Sequence, residues 1–127
     1  MPKVLVVDDA KVIRLLLADS LGDLGFEVVQ ASDGRQALEA LRRTRGTELA
    51  LVDWNMPVMN GLELLKTVRA NPEYASLTMV MVTSETDMDH ISKALEAGAN
   101  DYIMKPFTPE MLAEKLILLG LIEGQLA

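Results

Sequence analysis

The fold is decided by the segment VLVVDD (residues 4–9), in which four apolar residues run directly into two aspartates. The same pattern recurs in LALVD (residues 49–53) and in YIMK (residues 102–105). Short apolar runs of this kind are typical of strands buried on both faces of a parallel sheet. In an open parallel sheet, the carboxyl ends of the strands form the edge where ligands bind. We therefore predict that three carboxylates and one ammonium meet there, forming a hard-cation site with a positive group beside it.

Composition limits the classes of protein that the chain can represent. Its 127 residues, half of them hydrophobic, predict a single domain over residues 1–127 with a core of its own. No apolar stretch reaches the roughly 20 residues of a membrane span, and we expect no signal peptide. The absence of cysteine excludes disulfides and thiolate metal sites, and the net charge of −7 argues against nonspecific nucleic-acid binding. We expect an acidic cytoplasmic protein that neither inserts into membranes nor contacts nucleic acid directly.

Predicted strands and helices alternate along the chain. Strands are expected near residues 3–7, 27–31, 48–52, 78–83 and 100–104, and helices near residues 11–23, 35–44, 61–70, 88–97 and 109–121. Strands that alternate with single helices predict right-handed βαβ units and a parallel sheet covered on both faces. The predicted fold class is therefore an α/β domain with a doubly wound, five-stranded parallel sheet.

Local signals mark the helices. In the first helix, apolar residues at helical spacing include Val12, Leu15 and Leu16. Thr108 followed by Pro109 is typical of a helix start, with a capping side chain and then proline at the first helical position. Glycines punctuate helix starts or ends at Gly25, Gly34, Gly61 and Gly98.

Four ordered segments make the chain resemble the receiver domains of two-component response regulators, especially the single-domain chemotaxis (CheY-like) type. They are VVDD (6–9), VDWNMP (52–57) followed by a glycine at position 61, MVTSE (81–85) and AGANDYIMKPF (97–107). The resemblance covers essentially the whole chain. The resemblance implies a flavodoxin-like fold with strand order 2-1-3-4-5 and five helices. It also implies a phosphorylation-controlled signalling switch rather than an enzyme.

Asp53 is the candidate phosphoacceptor, because a carboxylate is a nucleophile that can form an acyl phosphate. The alternative is a loop aspartate beside turn residues. Asp8 and Asp9 repel each other unless a cation such as Mg²⁺ neutralises them, and the alternative for Asp9 is a cap on the first helix. The resemblance implies that Asp9 and Asp53 ligate Mg²⁺ directly. It further implies that Asp8 acts mostly through water and that Asn55 supplies its backbone carbonyl.

Lys105 and Thr83 are the candidate partners of the phosphoryl group. Lys105 would pair with it as a point charge; the alternative is a lysine that extends from the strand end into solvent. The resemblance implies a cis bond between Lys105 and Pro106. It also implies a switch in which phosphorylation draws the Thr83 hydroxyl inward and the Tyr102 ring occupies the vacated space. The alternative for Tyr102 is a half-buried aromatic residue in a strand.

Asn55 and Glu85 flank the expected site, two residues after Asp53 and Thr83 respectively. The resemblance implies that these positions tune how readily water reaches the acyl phosphate. The alternative for Glu85 is a solvated acid in a loop.

The resemblance also implies two kinds of protein partner. A sensor histidine kinase would donate the phosphoryl group, and a downstream partner would bind the surface of the fourth helix, fifth strand and fifth helix. The fourth helix begins TDMDH (86–90), acidic where motor-binding regulators tend to be basic, and we interpret His90 as a surface residue. The apolar segment 116–122 is either absorbed into the core or covered by a partner or a second copy. We expect a monomer or a phosphorylation-dependent dimer.

Other functions remain open from the sequence. Within the family, the chain could be an intermediate phosphorelay carrier or a receiver excised from a longer regulator. A small Mg²⁺-dependent phosphatase would need a general acid two residues after the nucleophile, where this chain has Asn55. A flavodoxin-like cofactor binder would need a phosphate-binding loop rich in Gly, Ser or Thr after the first strand, and the chain lacks one.

Overall fold

The computed structural model describes residues 2–56, 58–84 and 88–123. The strands are β1 Lys3–Val7, β2 Glu27–Ala31, β3 Thr47–Asp53, β4 Thr78–Thr83 and β5 Asp101–Met104. The helices are α1 Lys11–Asp23, α2 Gly34–Arg43, α3 Gly61–Arg69, α4 Met88–Glu96 and α5 Pro109–Leu118, with a short 3₁₀ helix at Pro72–Tyr74. All five strands pair in parallel, in the order β2-β1-β3-β4-β5. This confirms the predicted fold class and strand order.

Side-chain alternation along the strands divides the hydrophobic core into two halves. Leu5 and Val7 of β1 belong to a first core shared with α2, α3 and α4. Val4 and Val6 belong to a second core shared with α1 and α5. This is the period of two expected for a parallel sheet covered on both faces. The central strands are therefore buried on both sides, which fixes the positions of their carboxyl ends.

The apolar stripe identified in α1 is not the side of the helix that faces the core. Val12, Leu15 and Leu16 are 68, 50 and 61% exposed, whereas Leu17 and Leu21 are the buried residues of the helix. Because α1 carries apolar side chains on both sides, periodicity alone could not select the buried one. The exposed stripe is thus available for a contact outside the domain.

The fifth helix ends at Leu118, three residues before the predicted limit. Gly120 stops it by adopting a φ of 78°, a left-handed conformation common just after helices. The chain then folds back, so that Leu121 N donates a hydrogen bond to Leu116 O and Leu121 and Ile122 pack against the second core. Most of the apolar segment is therefore absorbed into the core.

The other predicted limits hold to within one residue at each end. The capping prediction for α5 is confirmed, because the Thr108 side chain accepts a hydrogen bond from Met111 N at 3.1 Å and Pro109 occupies the first helical position. Within the described ranges, no helix combines the length and the apolar character needed to cross a membrane.

At the amino ends of β4 and β5, Arg69 joins three segments of chain. Its guanidinium donates four hydrogen bonds of 2.7–2.9 Å, to the carbonyl oxygens of Gly98, Tyr74 and Leu77 and to the side-chain oxygen of Asn100. The same Asn100 oxygen accepts a bond from Met79 N at 2.8 Å. Burial lowers the pKa of Arg69. Arg69 therefore ties the end of α3 to the starts of both strands.

Replacing Arg69 by alanine should lower the free energy of unfolding by about 3 kcal/mol, because it leaves several carbonyl oxygens without donors. Urea denaturation measures this change. Arg43→Ala is the matched control, since the Arg43–Glu39 ion pair spans 4.0 Å between side chains that are 75 and 59% exposed. Such a pair contributes at most about 0.5 kcal/mol. Equal losses in the two variants would contradict the structural role assigned to Arg69.

Candidate functional site

Asp8 and Asp53 lie at the carboxyl ends of β1 and β3, two adjacent interior strands of the sheet. Asp53 is the last residue of β3 and Asp8 directly follows β1, and the pairing of Val7 with Val52 brings the two strand ends side by side. Asp8 is 1% and Asp53 7% exposed. Asp9 is exposed, and one carboxylate oxygen from each aspartate lies within 4.8 Å of the other two. The structure therefore brings together the three predicted acids, which we call the acidic cluster.

Lys105 reaches the acidic cluster from the end of β5. Its Nζ lies 3.0 Å from Asp8 Oδ2 and 3.5 Å from Asp53 Oδ1. The Lys105 backbone N donates to Thr83 O at 2.8 Å, which fixes this loop to β4. The bond from Lys105 to Pro106 is cis, as the resemblance implied. The alternative of a lysine directed into solvent is wrong.

Asp8 and Arg14 orient the loop between β1 and α1. Asp8 Oδ1 accepts a hydrogen bond from Ala10 N at 2.9 Å, and Asp8 O accepts one from Arg14 Nη1 at 2.7 Å. The residue that caps α1 is Ala10, with no side-chain cap. The alternative that Asp9 caps this helix is therefore wrong. Arg14 was missed in the sequence, because no local pattern shows a side chain that bonds a carbonyl six residues before it.

The carboxyl end of β3 is closely packed against α3. Trp54 N donates to Val82 O at 3.1 Å, and Trp54 O accepts from Gly61 N at 2.9 Å. A Cβ atom at position 61 would lie 2.4 Å from Asp53 O, so glycine is needed for this approach. Asn55 follows on the same loop and is exposed. The phosphoacceptor candidate thus sits on a segment anchored to both a neighbouring strand and a helix.

The two predicted switch residues lie on adjacent strands. Thr83 is the last residue of β4 and is 3% exposed. Tyr102 of β5 is half-buried, packs against the first core and has Lys115 Nζ 5.5 Å from its ring centroid. Lys115 also pairs with Asp101 at 3.1 Å. Glu85 lies outside the described residues.

The interpretation of His90 as a surface residue is wrong. Its ring is half-buried and stacks on Trp54, with the centroids 4.8 Å apart and the planes 15° from parallel. Its Nδ1 atom is buried and has no hydrogen-bond partner among the residues that the structure describes. The sequence could not reveal this pair, because the two rings come from elements far apart along the chain.

The electrostatics of the acidic cluster are dominated by burial and repulsion. The pKa of Asp53 is raised from the ordinary 3.8 to about 6: burial is the largest cause, the charge of Asp8 adds to it, and Lys105 opposes the rise. Burial disfavours the charged form of Lys105, but Asp8 and Asp53 outweigh this effect and raise its pKa. The three carboxylates and the ammonium of Lys105, which contacts Asp8 and Asp53, together leave an excess of two negative charges.

This donor set fits a hard divalent cation. All three side chains offer oxygen, which Mg²⁺ prefers, and Mg²⁺ usually completes its six ligands with water. Because Asp9 is exposed, the acidic cluster has a side open to solvent from which such waters come. The two positive charges of a divalent ion also match the excess of two negative charges that remains after Lys105 is counted.

Comparison with known proteins places this geometry in a family. Residues 4–117 match the family model for the response regulator receiver domain. The chain is 44% identical over 120 residues to chemotaxis protein CheY1 of Helicobacter pylori J99, covering 93% of this chain and 97% of that protein. It is 44% identical over 115 residues to the chemotaxis protein CheY homolog of Campylobacter jejuni strain 81116, covering 90 and 88%. The structure of the chemotaxis response regulator CheY4 of Vibrio cholerae superposes with a TM-score of 0.88 at 39% identity, covering 94 and 98%.

Replacing Asp53 by asparagine should stabilise the domain in the absence of divalent cations. The raised pKa means that the folded state resists ionisation of Asp53, so this carboxyl costs stability progressively as the pH rises from 3.8 to about 6. At higher pH the variant should gain up to about 3 kcal/mol in free energy of unfolding.

Urea denaturation across this pH range, with and without Mg²⁺, measures the difference. It should close below pH 3.8 and shrink when Mg²⁺ is added. Asp9→Asn is the control: because Asp9 is exposed, its gain should be smaller. A destabilised Asp53→Asn variant at neutral pH would show that burial and repulsion do not dominate the site.

Proposed function

The chain belongs to the family of response regulator receiver domains, the phosphorylation-controlled switches of two-component systems, and from this premise we propose that Asp53 is its phosphoacceptor. The observation that carries the proposal is the buried Asp53 carboxylate, 3.5 Å from Lys105 and within the acidic cluster. Asp9 and Asp53 would hold Mg²⁺ directly, Asp8 through water, and Asn55 through its backbone carbonyl.

In this mechanism Asp53 acts as the nucleophile. One carboxylate oxygen forms a bond to phosphorus while the P–N bond of a phosphohistidine breaks, and the leaving imidazole keeps the electron pair and takes up a proton. Lys105 pairs with the oxygens of the transferred phosphoryl group, and the Thr83 hydroxyl donates a hydrogen bond to one of them. Bound Mg²⁺ supplies the charge neutralisation that phosphoryl transfer requires.

The acyl phosphate is lost again by attack of water, and side chains at the rim of the site set the rate. Asn55 is exposed on the loop after Asp53. We assign to it, together with Glu85, control of the access of water to phosphorus. The chain is thus a signalling protein whose own chemistry is limited to accepting and losing one phosphoryl group.

A sensor histidine kinase is the proposed donor, and an apolar groove beside the acidic cluster is the proposed contact. The groove has a volume of about 340 Å³ and is lined by α1 and by the loop after β5, including Ile13, Leu16, Phe107 and Lys105. Leu16 is 61% exposed. A protein-borne phosphohistidine must cover the surface around Asp53 to reach it. An exposed apolar patch continuous with the site is suited to that contact.

The output surface is proposed to comprise α4, β5 and α5. Among the described side chains of these elements, Leu95, Met104, Met111 and Leu118 are large, apolar and exposed. Met104, Met111 and Leu118 line one groove with Tyr102, the proposed switch residue, and offer a protein partner an apolar contact. Because the relatives are named chemotaxis proteins, we propose a cytoplasmic role in chemotaxis-type signalling. We also propose that residues 1–127 form one receiver domain whose output is a protein–protein contact.

Incubation with Mg²⁺ and acetyl phosphate should add one phosphoryl group to the chain, detected by intact mass. The fluorescence of Trp54 should change at the same time, because this residue directly follows Asp53. Asp53→Ala and removal of Mg²⁺ by a chelator should each abolish the mass increment. Asp23→Ala, at the exposed end of α1, is the control that should be labelled normally. Full labelling of the Asp53→Ala variant would rule out Asp53 as the acceptor.

Replacing Leu16 by asparagine should slow phosphoryl transfer from a phosphorylated kinase domain by about tenfold or more, because it removes an apolar contact at the docking surface. Labelling by acetyl phosphate should be unchanged, since this small donor needs no docking surface. Leu118→Asn is the matched control, a 71% exposed leucine on α5 outside the groove. Unchanged transfer from the kinase domain to the Leu16→Asn variant would exclude the groove as the kinase contact.

A further inference from the structure

A ring stack joins the residue after Asp53 to helix α4. The Trp54 side chain is 8% exposed and belongs to the first core. The His90 ring lies over it at 4.8 Å and nearly parallel. Such ring pairs attract each other beyond the effect of the area they bury, and a planar contact constrains both partners. The positions of the two rings are therefore linked.

Trp54 is in turn linked to Asp53 through the backbone. The two residues share a peptide unit, and the Trp54 N–H and C=O groups are hydrogen-bonded to Val82 of β4 and Gly61 of α3. A phosphoryl group on Asp53 adds charge and volume to a side chain of this segment, whose backbone packs so closely against α3 that a Cβ at position 61 would lie 2.4 Å from Asp53 O. The segment that carries Trp54 has to accommodate this change.

Among the described side chains, a small set attaches helix α4 to the domain. Ile91 and Ala94 are buried, whereas Ser92 and Lys93 are exposed. His90 adds the stack on Trp54, and its buried Nδ1 has no hydrogen-bond partner within the described ranges. A buried nitrogen without a partner costs free energy, so a shift of α4 that hydrates or pairs this atom is favoured. The unpaired nitrogen thus lowers the cost of moving the helix.

We propose that the stacked rings of Trp54 and His90 transmit the phosphorylation state of Asp53 to helix α4. His90 is then a positioning residue of the output surface, acting through Trp54 rather than on the phosphoryl group. This connection is separate from the one proposed between Thr83 and Tyr102, which reaches β5. The inference rests on the proposed function of Asp53.

Amide hydrogen exchange in α4 and β5 tests the proposal, measured on the full chain with Mg²⁺, before and after addition of beryllofluoride, a stable phosphoryl analogue. In the unmodified chain, exchange should change in both elements. In His90→Ala the change in exchange in α4 should fall to about one third or less of that in the unmodified chain, while the change in β5 persists. Ser92→Ala is the matched control, because it replaces an exposed residue of the same helix by alanine and should respond like the unmodified chain.

Two further variants separate the stack from the ring nitrogen and from folding. His90→Phe keeps a planar ring on Trp54 and should retain the α4 response, whereas a lost response would overturn the proposal in favour of the nitrogen alone. His90→Leu fills the space without a planar ring and should lose the α4 response. This variant replaces His90→Ala if His90→Ala does not fold. An α4 response in His90→Ala equal to that of the unmodified chain would also overturn the proposal.

Intact mass after treatment with acetyl phosphate distinguishes this failure from failure of the proposed function. If every variant is phosphorylated and α4 responds equally, only the role of His90 is overturned. If the unmodified chain is not phosphorylated, the phosphoacceptor role of Asp53 and the role of His90 are overturned together.

Discussion

Negative charge buried at the carboxyl ends of β1 and β3 is the constraint on which the rest of the structure depends. Asp8 and Asp53 are both buried and face each other, an arrangement that proteins tolerate only where positive charge is close. Lys105 supplies that charge, so β5 has to end where the Lys105 side chain reaches both acids. The strand order meets this requirement, because β1 and β3 are adjacent and β4 and β5 follow on one side.

The two ends of the sheet differ in how well their polar groups are satisfied. At the amino ends of β4 and β5, Arg69 places four hydrogen bonds on oxygens of two chain segments, residues 74–77 and 98–100. At the carboxyl ends, Asp53 has a pKa raised to about 6 and His90 Nδ1 lacks a partner among the described residues. A switch needs an element with two arrangements, one of which a ligand stabilises relative to the other. The unsatisfied groups lie at the end where ligands bind, and the well-bonded end holds the strands in place.

What the sequence predicted follows from local chemistry, and what it missed depends on packing between distant elements. Apolar runs followed by acidic residues predicted the sheet and the acidic cluster, because the period and the ends of a strand are local properties of the sequence. The exposed side of α1 was mistaken for the buried one, since residues such as Leu16 and Leu17 make both sides apolar. The Trp54–His90 stack and the bond from Arg14 to Asp8 O were missed because each requires the folded geometry.

The composition of the two cores indicates which side of the sheet can change shape. Trp54 and Tyr102, the two residues proposed to respond to Asp53, both contact the first core. That core also contains Met79 and Met81, and the partly buried Met56 and Met59 pack against it. The second core, in the described part of the chain, consists of valine, leucine, isoleucine and phenylalanine. Unbranched methionine fits cavities of varying shape, whereas β-branched side chains hold few rotamers. The side that carries α4 can therefore repack at low cost, while the opposite side keeps α1 and its groove in place.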